Sequence, residues 1–263
     1  MKTLIKSPQN PNIKQIIQLK KANKRKKQGL IAIEGKKEIQ TALSAGIQAK
    51  NLYFCPDLGS LSGIKLDQDK IIEVSPEIYQ KISGREKPDG LLLLAEYQTK
   101  TLKDLKISQN PLILILERLE KPGNLGAIIR TADASGVEAI ILTDEKTDIY
   151  HPNSIYASRG AIFTKQIVTA KLDEVVAWLK ANKIKTYAAT PEAKKNYTDF
   201  DYSSGSAILL GEESRGLSED WLNNADEKIK IPMLGLSDSL NVSVSAGVLL
   251  YEVLRQRKPK SKV

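Results

Sequence analysis

Residues 112–133 read LILILERLEKPGNLGAIIRTAD, and this stretch decides the fold of the chain. Its first five residues are all apolar, which is typical of a strand buried on both faces of a parallel sheet. Pro122-Gly123 predicts a turn directly after this strand, and Asn124 is predicted as the N-cap of the following helix. The apolar positions that then recur at helical spacing are Leu125, Ile128, Ile129 and Ala132. The stretch therefore predicts a strand, a turn and a helix.

The same alternation of strands and helices continues towards the C-terminus. Apolar runs occur at 139–142, 166–169, 184–189 and 207–210, and helical patterns at 124–135, 172–182 and 242–256. This order predicts an α/β domain with a parallel sheet over residues 112–257. The polar stretch 98–111 has little apolar periodicity and ends in Asn110-Pro111, so we expect a linker there.

A second, smaller α/β pattern precedes the linker, over residues 1–97. Its candidate strands are 30–33, 51–55, 71–74 and 91–95, and its candidate helices are 36–45 and 76–82. The second helix follows Ser75-Pro76, a capping residue and the proline that suits a first helical position. The sequence thus predicts two domains, a linker between them and a basic tail at 258–263.

The positive charge of the chain is concentrated at its two ends. The 263 residues carry 40 Lys and Arg against 31 Asp and Glu, a net charge of +9. Residues 1–40 hold 11 bases and 2 acids, and residues 255–263 hold 5 bases and no acid. Such ends suit a polyanion, because each neutralised phosphate releases counterions. The alternative interpretation is a solubilising surface or an unstructured tail.

Several functional classes lose support from residue counts and absent motifs. The single cysteine, Cys55, permits no internal disulfide and is expected to be buried in an apolar stretch. The single histidine, His151, cannot form a multi-histidine metal site, so we expect no metal. The chain contains neither a Gly-x-Gly fingerprint nor a phosphate-binding P-loop. No secretory signal or membrane span is predicted, which favours a cytoplasmic protein.

Two further segments place polar residues directly after apolar strands. Residues 207–218 read AILLGEESRGLS, so two adjacent acids follow a strand at the edge where open α/β sheets bind ligands. Residues 231–247 read IPMLGLSDSLNVSVSAG, so Ser239 and Asn241 lie just before a helix. The alternatives are solvated acids in an ordinary loop, helix capping by the serine and asparagine, and a surface pair of Arg130 with Asp133.

In this order and spacing, the three segments resemble the SpoU branch of the SPOUT RNA methyltransferases. The matching motifs are Pro122-Gly-Asn124-x-Gly126-x-x-x-Arg130, Leu210-Gly211-x-Glu213-x-x-Gly216 and Ile231-Pro232-Met233-x-Gly235-x-x-x-Ser239-Leu240-Asn241. The match covers residues 112–256. The N-terminal part is similar to a substrate-binding module of the ribosomal L30e type, through Ser7-Pro8-x-Asn10-Pro11 and Ile33-Glu34-Gly35.

The resemblance implies a parallel-sheet domain with a deep trefoil knot, a homodimer, and methyl transfer from S-adenosylmethionine to a ribose 2′-hydroxyl without a metal. The implied catalytic residues are Asn124, Arg130, Glu213, Ser239 and Asn241. The implied donor-binding residues are Thr190, Leu210, Gly211, Ile231, Met233 and Leu240. Arg130 is expected to position the hydroxyl, because a guanidinium that stays protonated is a poor base.

The expected substrate is structured RNA, with 23S ribosomal RNA ahead of tRNA. The candidate RNA-binding residues are Lys24, Arg25, Lys26, Lys27 and Arg159. Tyr156 stands where relatives commonly carry an arginine, so either stacking of Tyr156 on a base or a contact from Arg159 is expected there. The alternatives are a tRNA 2′-O-methyltransferase, a resistance-conferring rRNA methyltransferase, or a non-catalytic RNA-binding or ribosome-assembly factor on the same fold.

Overall fold

A computed structural model describes residues 4–257, and the chain divides into two compact units. Within the described residues, the first unit comprises residues 4–98 together with Asp148–Thr164, and the second comprises Thr99–Thr147 and residues 165–257. The segment 148–164 thus packs with the N-terminal unit, although the sequence places it inside the predicted C-terminal domain. The basic tail predicted at 258–263 lies outside the described residues.

The first unit is built on a four-stranded mixed sheet in the order β1-β4-β2-β3. Its strands are β1 Leu30–Glu34, β2 Ala49–Phe54, β3 Ile71–Glu73 and β4 Leu91–Glu96. Its helices are α1 Pro11–Gln18, α2 Ala22–Gln28, α3 Lys36–Ser44, α4 Pro76–Ile82, α6 Pro152–Ser158 and α7 Ala161–Thr164. β1 and β2 both pair antiparallel with the buried strand β4. The expected strands and helices are confirmed within one or two residues, and Cys55 is fully buried.

The segment 148–164 is held in the first unit by a buried ion pair. Arg25 Nε donates to Asp148 Oδ2 at 2.6 Å, with the two side chains 1% and 3% exposed. A second guanidinium nitrogen of Arg25 donates to the Leu19 carbonyl at 2.6 Å. The backbone of Gly160 also lies against α3, where an added Cβ would stand 2.8 Å from the Thr41 Cβ. These contacts explain why the segment 148–164 packs with the first unit although the residues on either side of it in the chain belong to the second.

The second unit contains a fully parallel seven-stranded sheet in the order β7-β6-β5-β10-β8-β11-β9. Its strands are β5 Leu112–Glu117, β6 Ala139–Thr143, β7 Gln166–Thr169, β8 Lys185–Ala189, β9 Lys195–Asn196, β10 Ser206–Leu210 and β11 Glu227–Lys230. Its helices are α5 Pro122–Ala134, α8 Leu172–Ala181, α9 Glu219–Asn224 and α10 Val242–Arg257. The prediction of a parallel sheet with a smaller N-terminal α/β unit is confirmed.

The core of the second unit forms on both faces of its sheet. All residues of β5, β6 and β10 are buried, as expected from their unbroken apolar runs. The stretch 98–111, predicted as a linker, differs from that expectation because Leu102, Leu105 and Ile107 pack against this core. These three apolar residues are spaced too irregularly to give a helix or strand signal, which is why the sequence alone did not place them.

Candidate active site

The polar segments singled out in the sequence meet at one edge of the seven-stranded sheet. Strands β5, β10, β8 and β11 are neighbours and run parallel, so the loops after them emerge at the same edge. Those loops are 118–121, 211–218, 190–194 and 231–241. The sheet order therefore gathers the three motifs, which are spread along the chain from Pro122 to Asn241.

Glu213 is the centre of a hydrogen-bonded cluster formed by these loops. Its Oε1 accepts from Nδ2 of Asn124 and, at 2.7 Å, from Nδ2 of Asn241. Its Oε2 accepts from the ammonium of Lys121. The Glu213 side chain is 28% exposed, so the cluster is open to solvent. We call these four residues, Lys121, Asn124, Glu213 and Asn241, the Glu213 cluster.

The Glu213 cluster fixes the orientation of two side-chain amides. Because both amide nitrogens donate to one carboxylate, the carbonyl oxygens of Asn124 and Asn241 point away from it. The Asn241 oxygen accepts from the Ser243 backbone nitrogen at 3.0 Å and from its hydroxyl at 2.6 Å. Among the described residues the Asn124 oxygen has no partner, so it is an acceptor available to a substrate.

The prediction that Asn124 caps helix α5 is wrong. The helix begins at Pro122 with Lys121 in the cap position, and no side chain caps it. Proline suits a first helical position because its missing N–H needs no partner there. The helix therefore starts two residues earlier than expected, and the Asn124 side chain is free to bind Glu213.

Arg130 and Ser239 do not contact the Glu213 cluster in the single chain. Arg130 lies six residues after Asn124 on α5, about 9 Å along the helix and on another face. Its side chain is exposed and, within the described part of the chain, has no ion-pair partner. The surface pair of Arg130 with Asp133 is not formed, because Asp133 binds Lys165 at 3.1 Å. The Ser239 hydroxyl contacts Asp238, at 3.3 Å.

Glu212, the neighbour of Glu213, points into the protein and anchors the loop. Its side chain is 3% exposed, and its Oε2 accepts from Lys146 at 2.8 Å. Lys146 also binds Glu120, at 2.9 Å. The hydrogen bond from Lys146 lowers the pKa of Glu212, and the two carboxylates raise the pKa of Lys146. Two adjacent acids therefore have different tasks, one internal and one facing solvent.

Glu117 holds the other end of the same loop. This side chain, 1% exposed, accepts from the Ser218 backbone nitrogen at 2.7 Å. Ser218 in turn caps α9 by accepting from the Trp221 backbone nitrogen. Between these anchors, Gly211 lies against Gly216, where a Cβ would overlap backbone atoms. The loop that carries Glu213 is thus held at both ends and folded tightly on itself.

The expected donor-binding residues lie on the loops at this sheet edge or at the ends of its strands. The Thr190 backbone nitrogen donates to the Ile229 carbonyl at 2.9 Å, which ties the loop after β8 to β11. Leu210 is buried at the end of β10, and Ile231 and Met233 are half-buried after β11. Leu240 remains 37% exposed. The arrangement offers backbone N–H and C=O groups beside apolar side chains.

Residues 111–251 match the family described as SpoU rRNA Methylase. The chain belongs to this family. Residues 10–93 match a second description, the MRM3-like substrate binding domain. The Glu213 cluster and all three motifs lie inside the SpoU match, and the predicted resemblance is confirmed.

Relatives and solved structures of this family resemble the chain over nearly its whole length. A 23S rRNA (uridine(2479)-2′-O)-methyltransferase of Streptomyces viridochromogenes is 29% identical, over 89% of this chain and 86% of the relative. A crystal structure of an RNA 2′-O ribose methyltransferase is 38% identical, covers 97% of this chain and 99% of its own, and has a TM-score of 0.83. An AdoMet-bound rRNA methyltransferase from Sinorhizobium meliloti is 28% identical, covers 98% and 99%, and has a TM-score of 0.88.

The candidate RNA-binding residues all lie in the first unit, which we call the substrate-binding unit. They differ in exposure. Arg25 is a correction to the prediction, because it is buried against Asp148 and cannot reach a phosphate. Its neighbours in α2, Lys26 and Lys27, are exposed, and Lys24 is half-buried. Arg159 is exposed at the C-terminal end of α6, with a φ of 55°.

Two lysines that bind the acids at this edge of the sheet were not predicted from the sequence. Lys121 and Lys146 contact the two adjacent acids, yet neither stands in a motif that would single it out. Their only sequence signal is position, since each lies within four residues of the C-terminal end of a strand. The described residues contain no group of His, Cys, Asp and Glu arranged to hold a metal ion. No helix within residues 4–257 is long and apolar enough to cross a membrane.

Proposed function

We propose that the protein transfers a methyl group from S-adenosylmethionine to a ribose 2′-hydroxyl of 23S ribosomal RNA. The observation that carries this proposal is the Glu213 cluster, in which one carboxylate orients the amides of Asn124 and Asn241 at the ligand-binding edge of a parallel sheet. The 23S rRNA and AdoMet-bound relatives support the substrate and the methyl donor. An RNA substrate also fits the expected cytoplasmic location.

The residues present fit the methyl donor. The tight backbone of the Gly211 loop, the loop after β8 with Thr190, and the loop after β11 with Ile231 supply hydrogen-bonding backbone groups. Apolar surface for the adenine and methionine parts comes from Leu210, Met233 and Leu240. When bound, the donor supplies a methyl group on a positively charged sulfur, which is open to in-line displacement.

The task of the protein groups is alignment, because displacement needs the ribose oxygen in line with the methyl group. The free carbonyl oxygen of Asn124 accepts a hydrogen bond from the 2′-hydroxyl and sets its direction. Glu213 acts through the asparagines by fixing their amides. The positive guanidinium of Arg130 stabilises the negative charge that develops on the ribose oxygen as the hydroxyl proton passes to solvent water. Ser239 shapes the loop between β11 and α10.

The active enzyme is a homodimer in this proposal, formed through the α10 side of the C-terminal domain. Large apolar side chains are exposed along one stretch of the chain, namely Leu234, Leu236, Leu240, Val244 and Tyr251. A concentration of exposed large apolar side chains in one segment is typical of a protein–protein interface. Helix α5 packs beside α10, with the Thr131 methyl group 3.9 Å from a Cβ placed on Gly247. A second copy on this face brings its Arg130 towards the Glu213 cluster of the first.

Transfer of radiolabelled methyl groups tests the reaction and the substrate together. The substrates are unmodified 23S rRNA, 16S rRNA and bulk tRNA, with wild type and Arg130→Ala. We expect label in 23S rRNA, recovered as a 2′-O-methyl nucleotide and lost in the variant. Label in tRNA instead would identify a tRNA enzyme. Donor binding without label in any RNA would favour a non-catalytic factor.

A mixed dimer tests whether two chains share one site. Chains carrying Asn124→Ala and chains carrying Arg130→Ala are each inactive as homodimers in this proposal. The heterodimer of the two regains one intact site, because the wild-type Asn124 of one chain meets the wild-type Arg130 of the other. If both residues act within one chain, the purified heterodimer stays inactive. A chain that sediments as a monomer would refute the dimer directly.

A further inference from the structure

Tyr156 is an exposed aromatic residue that the methyl-transfer site does not use. It lies on α6, in the segment that packs with the substrate-binding unit, and is 51% exposed. The guanidinium of Arg85 lies over its ring, with the Arg85 Cζ 4.7 Å from the ring centroid. An arginine stacked on one side of the ring restrains it without covering it.

Arg85 is held in this position by the loop and strand that surround it. One of its terminal nitrogens donates to the Glu34 backbone carbonyl and contacts Glu38 Oε2 at 3.2 Å. The Glu34 carboxylate binds the loop just before Arg85, accepting from the Ser83 hydroxyl at 2.5 Å and from the Gly84 nitrogen at 2.9 Å. The Ile33-Glu34-Gly35 motif therefore positions the arginine.

Gly35 is necessary for this arrangement. A Cβ at this position would overlap the Arg85 guanidinium and the Glu38 carboxylate, and its φ of 107° is one that other residues rarely adopt. The glycine thus provides the space in which Arg85 reaches its two acceptors. The motif, the loop and Tyr156 form one unit that holds an aromatic face at the surface.

The charges around Tyr156 favour a nucleic acid as the partner of this face. The Glu38 carboxylate that binds Arg85 is 3% exposed, and the Glu34 oxygens are used within the fold. Two exposed cations lie in the same unit. Arg159 is three residues after Tyr156, just past the end of α6, and Lys37 is on α3, one turn before the Thr41 against which Gly160 lies. Glu86 and Lys87, both exposed, offset each other.

We propose that Tyr156, backed by Arg85, stacks on an unpaired base of the RNA substrate, and that Arg159 and Lys37 contact the flanking phosphates. RNA is recognised mainly at single-stranded sites, whose bases are free to stack on aromatic rings and guanidinium planes. This inference rests on the proposed function, because it names the part of the substrate that the N-terminal unit grips. In it Tyr156 is a substrate-binding residue and Arg85 a positioning residue.

Steady-state methyl transfer to a 23S rRNA transcript tests the contact, with ultraviolet cross-linking to the same RNA as an independent readout. Stacking of one base predicts that Tyr156→Ala raises KM for RNA roughly 5- to 150-fold while kcat stays near wild type. Tyr156→Phe keeps the ring and should keep KM. Arg85→Ala should raise KM by a smaller factor, and Arg85→Lys should not restore it, because an ammonium lacks the planar face.

Lys50→Ala is the matched control, because Lys50 is an exposed, ion-paired cation of the same unit that lies on strand β2. Melting temperatures establish that each variant is folded. A nucleotide adduct mapped to Tyr156 supports the proposal, and its absence together with an unchanged KM for Tyr156→Ala overturns it. If the wild type methylates no RNA, the proposed function fails, and the mapped adduct alone then decides whether Tyr156 binds RNA.

Discussion

Two charged clusters, one in each unit, have opposite designs. In the substrate-binding unit, Arg25 and Asp148 come from segments 123 residues apart and are almost fully removed from solvent. In the second unit, which carries the methyltransferase motifs, Glu213 binds Asn124, 89 residues before it, and Asn241, 28 residues after it. Glu213 stays partly exposed, and two of its three partners are neutral amides. The first arrangement fixes the position of a chain segment, and the second presents oriented groups to a ligand.

The comparison shows that the role of a charged residue depends on how deeply it is buried and on which groups it binds. A buried guanidinium has lost its hydration and depends on its partner, so it contributes to folding and is unavailable to RNA. A partly exposed carboxylate that orients amides contributes little to stability but much to geometry. Both arginine and glutamate are therefore ambiguous in the sequence until burial is known.

The largest effect that sharpens this comparison is expected for Arg25→Ala. Removing one partner leaves the buried Asp148 carboxylate uncompensated, which should cost about 3–5 kcal/mol in the free energy of unfolding. Urea denaturation of the whole chain measures this loss. Lys27→Ala, two residues away on the same helix and exposed, should change the free energy by less than about 0.5 kcal/mol. Equal small effects for both variants would remove the basis of the comparison.

The next effect concerns RNA binding by the exposed part of α2. Replacing Lys24, Lys26 and Lys27 by alanine should weaken binding to 23S rRNA and reduce the salt dependence, by roughly 0.7–0.9 in slope for each lost phosphate contact. The melting temperature should stay close to that of the wild type. Binding measured between low and physiological salt checks this prediction, and an unchanged slope would show that α2 does not face the RNA.

The smallest expected effect concerns how the melting temperature falls as the pH becomes acidic. Because Lys146 lowers the pKa of Glu212 in the folded protein, the stabilisation is present above the ordinary value of 4.5 and is lost as the pH falls through the lowered value. Lys146→Met should therefore lower the melting temperature at neutral pH and flatten its decline in acid. The exposed pair of Lys50 with Glu96 is the control, and Lys50→Met should leave the decline of the melting temperature in acid unchanged. A parallel shift of the whole curve would show that Glu212 is not the responsible group.

Much of the fold and part of the site were predictable from the sequence. The unbroken apolar run 112–116 predicts a strand buried on both faces, and the parallel order then brings the three motif loops to one edge. The motifs single out Asn124, Glu213 and Asn241, which the structure joins. The strands are predictable because their apolar pattern is a local property of the chain, whereas the site residues were implied by the resemblance to the SpoU motifs.

The remaining features depend on contacts between distant segments. Nothing local in the Lys24–Lys27 run distinguishes Arg25 from its neighbours, because its burial is decided by Asp148 far along the chain. Glu212 and Glu213 likewise differ in role because Lys146, on the loop after β6, binds the buried Glu212. The cap at Asn124 was misplaced because Pro122 already begins the helix.

The most direct test compares Glu213→Ala with Arg25→Ala in one single-turnover methyl-transfer assay, below the melting temperature of both. We predict that Glu213→Ala lowers the rate of the chemical step about 100-fold or more, since removal of one preorganised group typically costs 10²–10³. Its melting temperature should be close to wild type. Arg25→Ala should melt much earlier but, with RNA saturating, carry out the chemical step at nearly the wild-type rate. A Glu213→Ala enzyme that stays folded and transfers methyl groups at the wild-type rate would contradict the account.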